Sequence, residues 1–339
     1  MKCYLVDGKG IDSLQISERP SATTLASLDV LVEPQAWSLN YRDLMVAKGQ
    51  YQPKNHVIPP FIPISDMAGI VKATGPGVTD LKVGDRVLNA PFKHYPAGNL
   101  RSEWARTFIA GMGVDGVLAE QIVYPADSLV KIPSYLDFKE AATFTIAGLT
   151  AWAAVVTHGK ILPGEWILLQ GTGGVSIFAA QLAKAMGAKI IMTTSSKEKS
   201  DQVKKMFGAI ETLNYKESDW PEKVKEITHG VGVDVIVDVA GGEVLAQSLR
   251  TCNYGARVGV IGILSGQESQ IRIRDLLSHQ IQLRGIMMES TQELRALMRA
   301  ADTLKLKPVI DKSFSFTQVK EAYHHLESQK HIGKVVIER

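Results

Sequence analysis

Gly171-Thr172-Gly173-Gly174-Val175-Ser176 separates the apolar run Trp166-Ile167-Leu168-Leu169-Gln170 from a stretch with helical spacing, Ser176 to Met186. A glycine-rich turn that leaves a short strand and opens a helix is the setting a dinucleotide fingerprint requires. Gly171 permits the tight turn, and Gly173 lets the backbone approach a pyrophosphate. With Thr172, Gly174 and Val175, they place free N–H groups and the positive end of the helix dipole at the phosphates. Ser176 stands where a third glycine is usual and is small enough for close helix–strand packing. Read alone, the same six residues also make a plain structural turn.

The surroundings favour the fingerprint. Downstream, Lys189–Thr193 reads as a strand, Val203–Phe207 as part of a helix, Thr212–Tyr215 as short and extended, and Val224–Thr228 as helical. Val233–Val239 and Arg257–Ile261 read as further strands, and Gln280–Met287 as a final one with alternating apolar residues. Strands with β-branched cores alternating with helices predict a doubly wound parallel sheet covered on both faces, an α/β fold. The second strand ends at Thr194-Ser195-Ser196-Lys197-Glu198-Lys199. A carboxylate that would bind a ribose 2′-hydroxyl is expected at that strand end, and Thr194 occupies it. Ser195 and Ser196 can donate hydrogen bonds and Lys199 supplies charge, which favours NADP(H) over NAD(H). Either serine also suits the cap of the next helix, and the two roles are compatible.

Residues 1–145 differ in character. They hold eleven of the fourteen prolines, a density that interrupts helices and central strands. Val71–Val78 reads as strand, turn, strand, and Leu81–Val87 as a tight turn into a strand. The stretch 92–112 has no period and reads as a long loop of the functional kind. Val309–Arg339 returns to short strands and one helix.

Composition sets the outer limits. A chain of 339 residues, 45% hydrophobic and 22% charged, has room for two domains and is not disordered. A net charge of +3 without single-sign runs argues against a dedicated nucleic-acid binder. Cys3 and Cys252, the two cysteines, cannot form a disulfide framework or a four-cysteine zinc site, so a reducing cytoplasm is expected. The start, Met1 to Asp7, lacks the pattern of a secretory signal. The uncharged stretch Ala141–Thr157 approaches a membrane span in length but reads as buried helices at a domain junction, implying a soluble protein.

Beyond the fingerprint, the chain carries Asn40-Tyr41-Arg42-Asp43, Gly49-Gln50-Tyr51, Pro63-Ile64-Ser65-Asp66-Met67-Ala68-Gly69-Ile70-Val71 and Val83-Gly84-Asp85-Arg86-Val87. Ala147-Gly148-Leu149-Thr150-Ala151-Trp152, Asn214-Tyr215, Gly255–Gly262 and His331-Ile332-Gly333-Lys334-Val335-Val336 complete the set. In these motifs nearly the whole chain resembles the medium-chain dehydrogenase/reductase superfamily, in its zinc-independent quinone oxidoreductase and alcohol-dehydrogenase-like branch. The resemblance implies a Rossmann domain, 146–288, inserted in a chaperonin-10-like (GroES-like) β-barrel catalytic domain, 1–145, which 289–339 completes. It also implies a cofactor in the cleft between the two and a homodimer through the Rossmann edge strand.

The same resemblance identifies the sites. The positions of the family's catalytic zinc ligands and their neighbouring glutamate correspond to Asn40, Ser65, Ile146 and Asp66, a set unsuited to zinc. The structural-zinc lobe, 92–115, has no cysteine. The histidines, with His324 and His325 adjacent and His56, His94 and His331 scattered, read as surface or packing residues. No metal site is expected. Asn40 is implied to face the nicotinamide ribose or amide, and otherwise reads as a turn residue. Tyr51 is implied at the active-site mouth, and otherwise as a core aromatic. Arg42 and Asp43 read as a structural pair near Asp66. Thr150 either contacts the cofactor or ends a helix. Tyr215 either packs on the adenosine side or fills the sheet edge. Gly262, Ile263 and Leu264 would form the nicotinamide-side loop.

Without a metal to polarise a carbonyl, a hydride acceptor must be activated by its own structure, as quinones and α,β-unsaturated carbonyls are. The expected function is an NADPH-dependent reductase of such a small molecule, with Asn40 and Tyr51 acting on the transition state. A metal-free alcohol or aldehyde dehydrogenase and a non-catalytic NADPH-binding redox sensor share the same sequence features.

Overall fold

The computed structural model describes residues 1–51, 60–111 and 114–339. His56 and the Met112 end of the 92–112 loop therefore lie outside the described residues. The chain forms two compact units, Met1–Leu149 together with Glu289–Arg339, and Thr150–Met288.

The first unit begins with β1 (Lys2–Leu5) and β2 (Gln15–Glu18), an antiparallel pair, and continues through β3 (Asp29–Leu39), β4 (Asp66–Thr74), β5 (Arg86–Asn89), β6 (Ile122–Pro125) and β7 (Leu129–Lys131). β3 alternates in burial, with Val30, Val32 and Ala36 fully inside, the period-2 signature of a strand. Pro34 sits within it opposite Gly69, at a register shift between Pro34 and Ala36. A proline cannot donate to a ladder, so an irregularity is needed there. Gly69 permits the close approach: a Cβ at that position would lie 2.4 Å from the Glu33 carbonyl oxygen.

The second unit holds β8 (Trp166–Gln170), β9 (Lys189–Thr193), β10 (Ile210–Leu213), β11 (Val233–Asp238), β12 (Cys252–Val260) and β13 (Gln282–Gly285). They form one parallel sheet in the order β10-β9-β8-β11-β12-β13. Ile167, Leu168 and Leu169 of β8 are all fully buried, so both faces of the strand are covered. The strand order reverses between β8 and β11, and ligands of open α/β sheets bind beyond the strand carboxyl ends at such a reversal. β13 is the edge, and all four of its residues are exposed.

The chain then returns to the first unit with β14 (Ile310–Ser315), the helix Val319–Glu327 and β15 (Lys334–Glu338). The sheet there has seven strands in the order β14-β15-β3-β4-β5-β7, with β6 pairing to β3. β15 runs antiparallel to β3, with Val335 opposite Leu39. The last strand of the chain is thus laid beside one of the first.

Two local expectations need correction. Val78 is not in a second strand: β4 stops at Thr74 and the turn closes with Val78 N–H donating to Gly75 O. Thr150 does not end a helix, because it lies within Leu149–Trp152 and is buried. The stretch Ala141–Thr157 folds into short helical pieces, and among the described residues no helix is long and apolar enough to cross a membrane.

Candidate functional site

In the second unit, β8 leads into Gly171 at φ +69°, a left-handed conformation suited to glycine. A Cβ at Gly173 would meet nothing within 4 Å, so the cradle above the helix start is open. Gly173 is the N-cap of the helix Gly174–Ala185 and places no side chain on its first N–H groups. Gly171 N–H donates to Thr193 O at 2.8 Å, and the backbone donors offered to an anion are those of the helix start after it, Thr172–Val175. Ser176 is buried, and its hydroxyl donates to Gln170 O at 2.6 Å, tying helix to strand where the third glycine would pack.

Gln170 organises the neighbouring strand end. Its Nε2 donates to Asp238 and Ser248, each at 2.8 Å, and its Oε1 accepts from Val239 and Ala240 N–H. Asp238 in turn accepts from Gly241 N–H at 2.7 Å. Burial pushes the Asp238 carboxyl up, against the opposing pull of these donors. The carboxyl ends of β8 and β11 are therefore held together by side chains. Gly262 packs on this turn, since a Cβ there would lie 2.1 Å from Val239 O. Ile263 and Leu264 beside it are 40% and 48% exposed.

At the end of β9, Thr194 is buried, and Ser196 caps the helix Lys197–Phe207 by accepting from Lys199 N–H. Ser195 is exposed, with its hydroxyl 3.4 Å from the Tyr215 hydroxyl. The structure thus brings Ser195, Ser196, Lys199 and Tyr215 to one strand end. Glu198, the carboxylate nearest in sequence, accepts from Gln202 one turn along its own helix.

In the first unit, Asn40 is the N-cap of the helix Tyr41–Ala47, with its backbone N–H donated to Asp43 Oδ2 at 2.8 Å. Lys334, at the head of β15, is fully buried and donates to Leu39 O at 2.5 Å and to Asn40 Oδ1 at 2.6 Å. Burial lowers the Lys334 pKa, and the fields of Asp66 and Asp43 oppose that shift. Asp66 accepts from the Ser65 hydroxyl at 2.9 Å and from Ile146 N–H at 3.4 Å. Burial pushes the Asp66 carboxyl up to about 7, with Asp43 adding to the rise and Lys334, Asn40 and Ser65 pulling it down. The four positions of the zinc correspondence, Asn40, Ser65, Asp66 and Ile146, do come together here. Their chemistry does not fit a metal ion: the Asn40 oxygen already accepts from the Lys334 ammonium, Ser65 donates to Asp66, and Ile146 has no side-chain donor atom.

Tyr51 is half-buried against the core of this unit. The Arg42 guanidinium lies 5.0 Å from its ring centroid and 4.2 Å from that of Phe108. Arg42 donates to Ile109 O at 3.2 Å and Ala110 O at 3.0 Å, and its Nη1 is 3.6 Å from Asp43. Among the other candidates, His324 and His325 pair with acids at the surface. Among the described residues, no group of three or more His, Cys, Asp or Glu side chains could hold a metal ion. Sequence reading missed Gln170, Asp238 and Lys334. Lys334 had a visible signal, a lone cation heading the apolar run Val335-Val336-Ile337.

Comparisons agree with the fold. Residues 26–134 match the family described as alcohol dehydrogenase GroES-like domain, and 174–303 the family described as zinc-binding dehydrogenase. A zinc-type alcohol dehydrogenase-like protein of Schizosaccharomyces pombe is 36% identical over 97% of this chain and 96% of its own length. Among solved structures, an NAD-dependent alcohol dehydrogenase superimposes with a TM-score of 0.89 at 30% identity, covering 100% of both chains. The Escherichia coli quinone oxidoreductase complexed with NADPH superimposes with a TM-score of 0.84 at 25% identity, again over 100% of both chains.

The Asp66 shift has a sign that can be measured. A carboxyl whose pKa is higher in the folded state stabilises the fold below its unfolded value near 4, and that contribution is lost as pH rises through about 7. Asp66→Asn should remove this slope. Between pH 5 and 8 the wild type should lose stability relative to the variant, by on the order of 1–4 kcal/mol. Parallel pH profiles of the urea midpoints of the two proteins would contradict the assignment.

Proposed function

The chain belongs to the medium-chain dehydrogenase/reductase superfamily and is an oxidoreductase, and from that premise we propose that it is a zinc-independent, NADPH-dependent reductase of quinones or α,β-unsaturated carbonyls. The observation that carries this reading is the Lys334 ammonium on Asn40 Oδ1, an internal cation occupying the donor set where relatives of the alcohol dehydrogenase type would need ligands. With no Lewis acid to polarise a simple ketone, the acceptor must delocalise incoming charge onto its own oxygen.

NADPH fits the second unit. Gly171 would form the tight turn and Thr172 to Val175 would hold the pyrophosphate on backbone N–H groups. Ser195, Ser196, Lys199 and Tyr215 would surround the adenosine ribose and its 2′-phosphate. When bound, the cofactor supplies a hydride. Solved relatives carry the fold with NAD dependence in one case and with NADPH in another, and the support for NADPH comes from the strand end, where Thr194 puts no carboxylate against a phosphate.

The chain's own residues do the rest. Gly262, Ile263 and Leu264 offer backbone and apolar surface on the nicotinamide side of the sheet. Asn40, oriented by Lys334, would steady the nicotinamide or its ribose. Tyr51 would donate to the acceptor oxygen as it gains charge, a contact that strengthens only in the transition state. The exposed edge of β13, with Leu283 at 40% exposure and Met287 just beyond the strand at 46%, suits a second copy of the chain, so a homodimer is part of this reading. The cytoplasm is its expected compartment.

Two measurements test it. NADPH should bind roughly 10–100-fold more tightly than NADH, the worth of a charged hydrogen bond to the 2′-phosphate, and equal dissociation constants by calorimetry would rule that out. Tyr51→Phe should lower enone reduction by up to about 100–1000-fold and quinone reduction far less, with NADPH affinity unchanged. Steady-state rates unaltered for both acceptors would remove Tyr51 from the site.

A further inference from the structure

Tyr51 lies at a bend, outside any helix or strand. Its ring direction is therefore set by what packs on it rather than by a backbone ladder. Among the described residues, Arg42 and Gly111 lie against the ring. The Arg42 guanidinium lies over the rings of both Tyr51 and Phe108, and its side chain is only 10% exposed. Gly111 lies against both: a Cβ there would be 2.8 Å from Arg42 Nη2 and 3.2 Å from Tyr51 Cε1.

We propose that Arg42 and Gly111 are positioning residues that hold the Tyr51 phenol in one pose, Arg42 by stacking on the ring and Gly111 by leaving the space that the ring and guanidinium fill. The proposal rests on the reading of Tyr51 as donor to the acceptor oxygen.

The surroundings make the clamp stiff. Behind the guanidinium, Phe108 packs on Phe92 at 4.9 Å between ring centroids, Phe92 on Tyr95 at 5.5 Å, and Tyr95 stacks on Trp104 at 5.4 Å. This aromatic row turns the irregular stretch after Pro91 into a backstop. On the other side, Arg42 fastens the loop itself through Ile109 O and Ala110 O. Ala110 has φ +56°, a left-handed conformation that costs a non-glycine residue energy and persists where neighbours enforce it. The next residue is Gly111, so the hydrogen bonds that hold Ala110 also set where Gly111 approaches Tyr51.

Arginine suits position 42 for a geometric reason. A planar fork can contact the faces of two rings while one of its nitrogens reaches two carbonyl oxygens. A lysine ammonium is a point donor and cannot fill the same slab. The arrangement therefore separates charge, which lysine keeps, from shape, which it does not.

The test is a double-mutant cycle on the intact enzyme. Arg42→Lys and Gly111→Ala would each be made in the wild type and in Tyr51→Phe, and kcat/KM measured for one enone and one quinone beside NADPH titrations. Each single substitution should lower enone reduction about 10–100-fold, as sub-ångström displacement of a donor does, while quinone reduction changes little and NADPH affinity is unchanged. In the Tyr51→Phe background, with no hydroxyl left to misplace, each should cost less than about twofold. Equal losses in both backgrounds, equal losses on both acceptors, or silent single variants beside an impaired Tyr51→Phe would overturn the proposal alone. A silent Tyr51→Phe would overturn the reading of Tyr51, and the proposal with it. Should Arg42→Lys fail to fold, Gly111→Ala in the loop decides the matter.

Discussion

A lysine ammonium buried between a backbone carbonyl and an asparagine oxygen sets the terms for the first unit. A charge without water is tolerable only where opposite charge and hydrogen bonds surround it. Lys334 meets that demand with Leu39 O, Asn40 Oδ1 and the nearby carboxylates of Asp43 and Asp66. These partners come from β3, the helix start at Asn40 and the head of β4, so the cluster forms only when β15 lies beside β3. The final strand is thus more than an edge: it carries the cation that lets two acids be buried near Asn40. The same cation turns the Asn40 oxygen inward and makes the donor set inhospitable to a metal, from which the proposed choice of acceptors follows.

The second unit solves a comparable problem without net charge compensation from a cation. Gln170 directs its amide to Asp238 at the end of β11, to the turn after it and to Ser248 of the next helix, and Asp238 collects the N–H of Gly241. A polar network that is satisfied on every arm stiffens the backbone around it. The glycine turn after β8 and the turn after β11 are therefore set against one another before any ligand arrives, which lowers the ordering cost of binding.

Much of this was legible in the chain. The parallel sheet was readable because its strands are buried on both faces and so appear as short β-branched runs between helical periods. The glycine turn was readable because its chemistry is local: six consecutive residues specify the conformation and the donors. The strand end Thr194–Lys199 was readable for the same reason, and the structure adds that Ser196 is the cap while Ser195 is the exposed hydroxyl. The buried polar partners were not legible. Lys334 and Asn40 are 294 residues apart, and Gln170 and Asp238 are 68 apart, so nothing in local pattern pairs them. Val78 misled because a valine after a glycine turn has strand propensity, whereas β4 ends at Thr74 and the chain turns back on itself between Gly75 and Val78. The Arg42 clamp escaped notice because its other half lies in a stretch with no period.

The central claim is that the chain reduces activated carbonyl acceptors with NADPH and needs no zinc to do so. The most direct measurement takes one preparation, treats it with a strong chelator, determines its zinc content, and follows NADPH consumption with a quinone, an enone and a simple aldehyde. The account predicts turnover of the quinone or the enone in protein free of stoichiometric zinc, undiminished by the chelator. Activity that is confined to the aldehyde, or that vanishes with the metal and returns when zinc is restored, would contradict it.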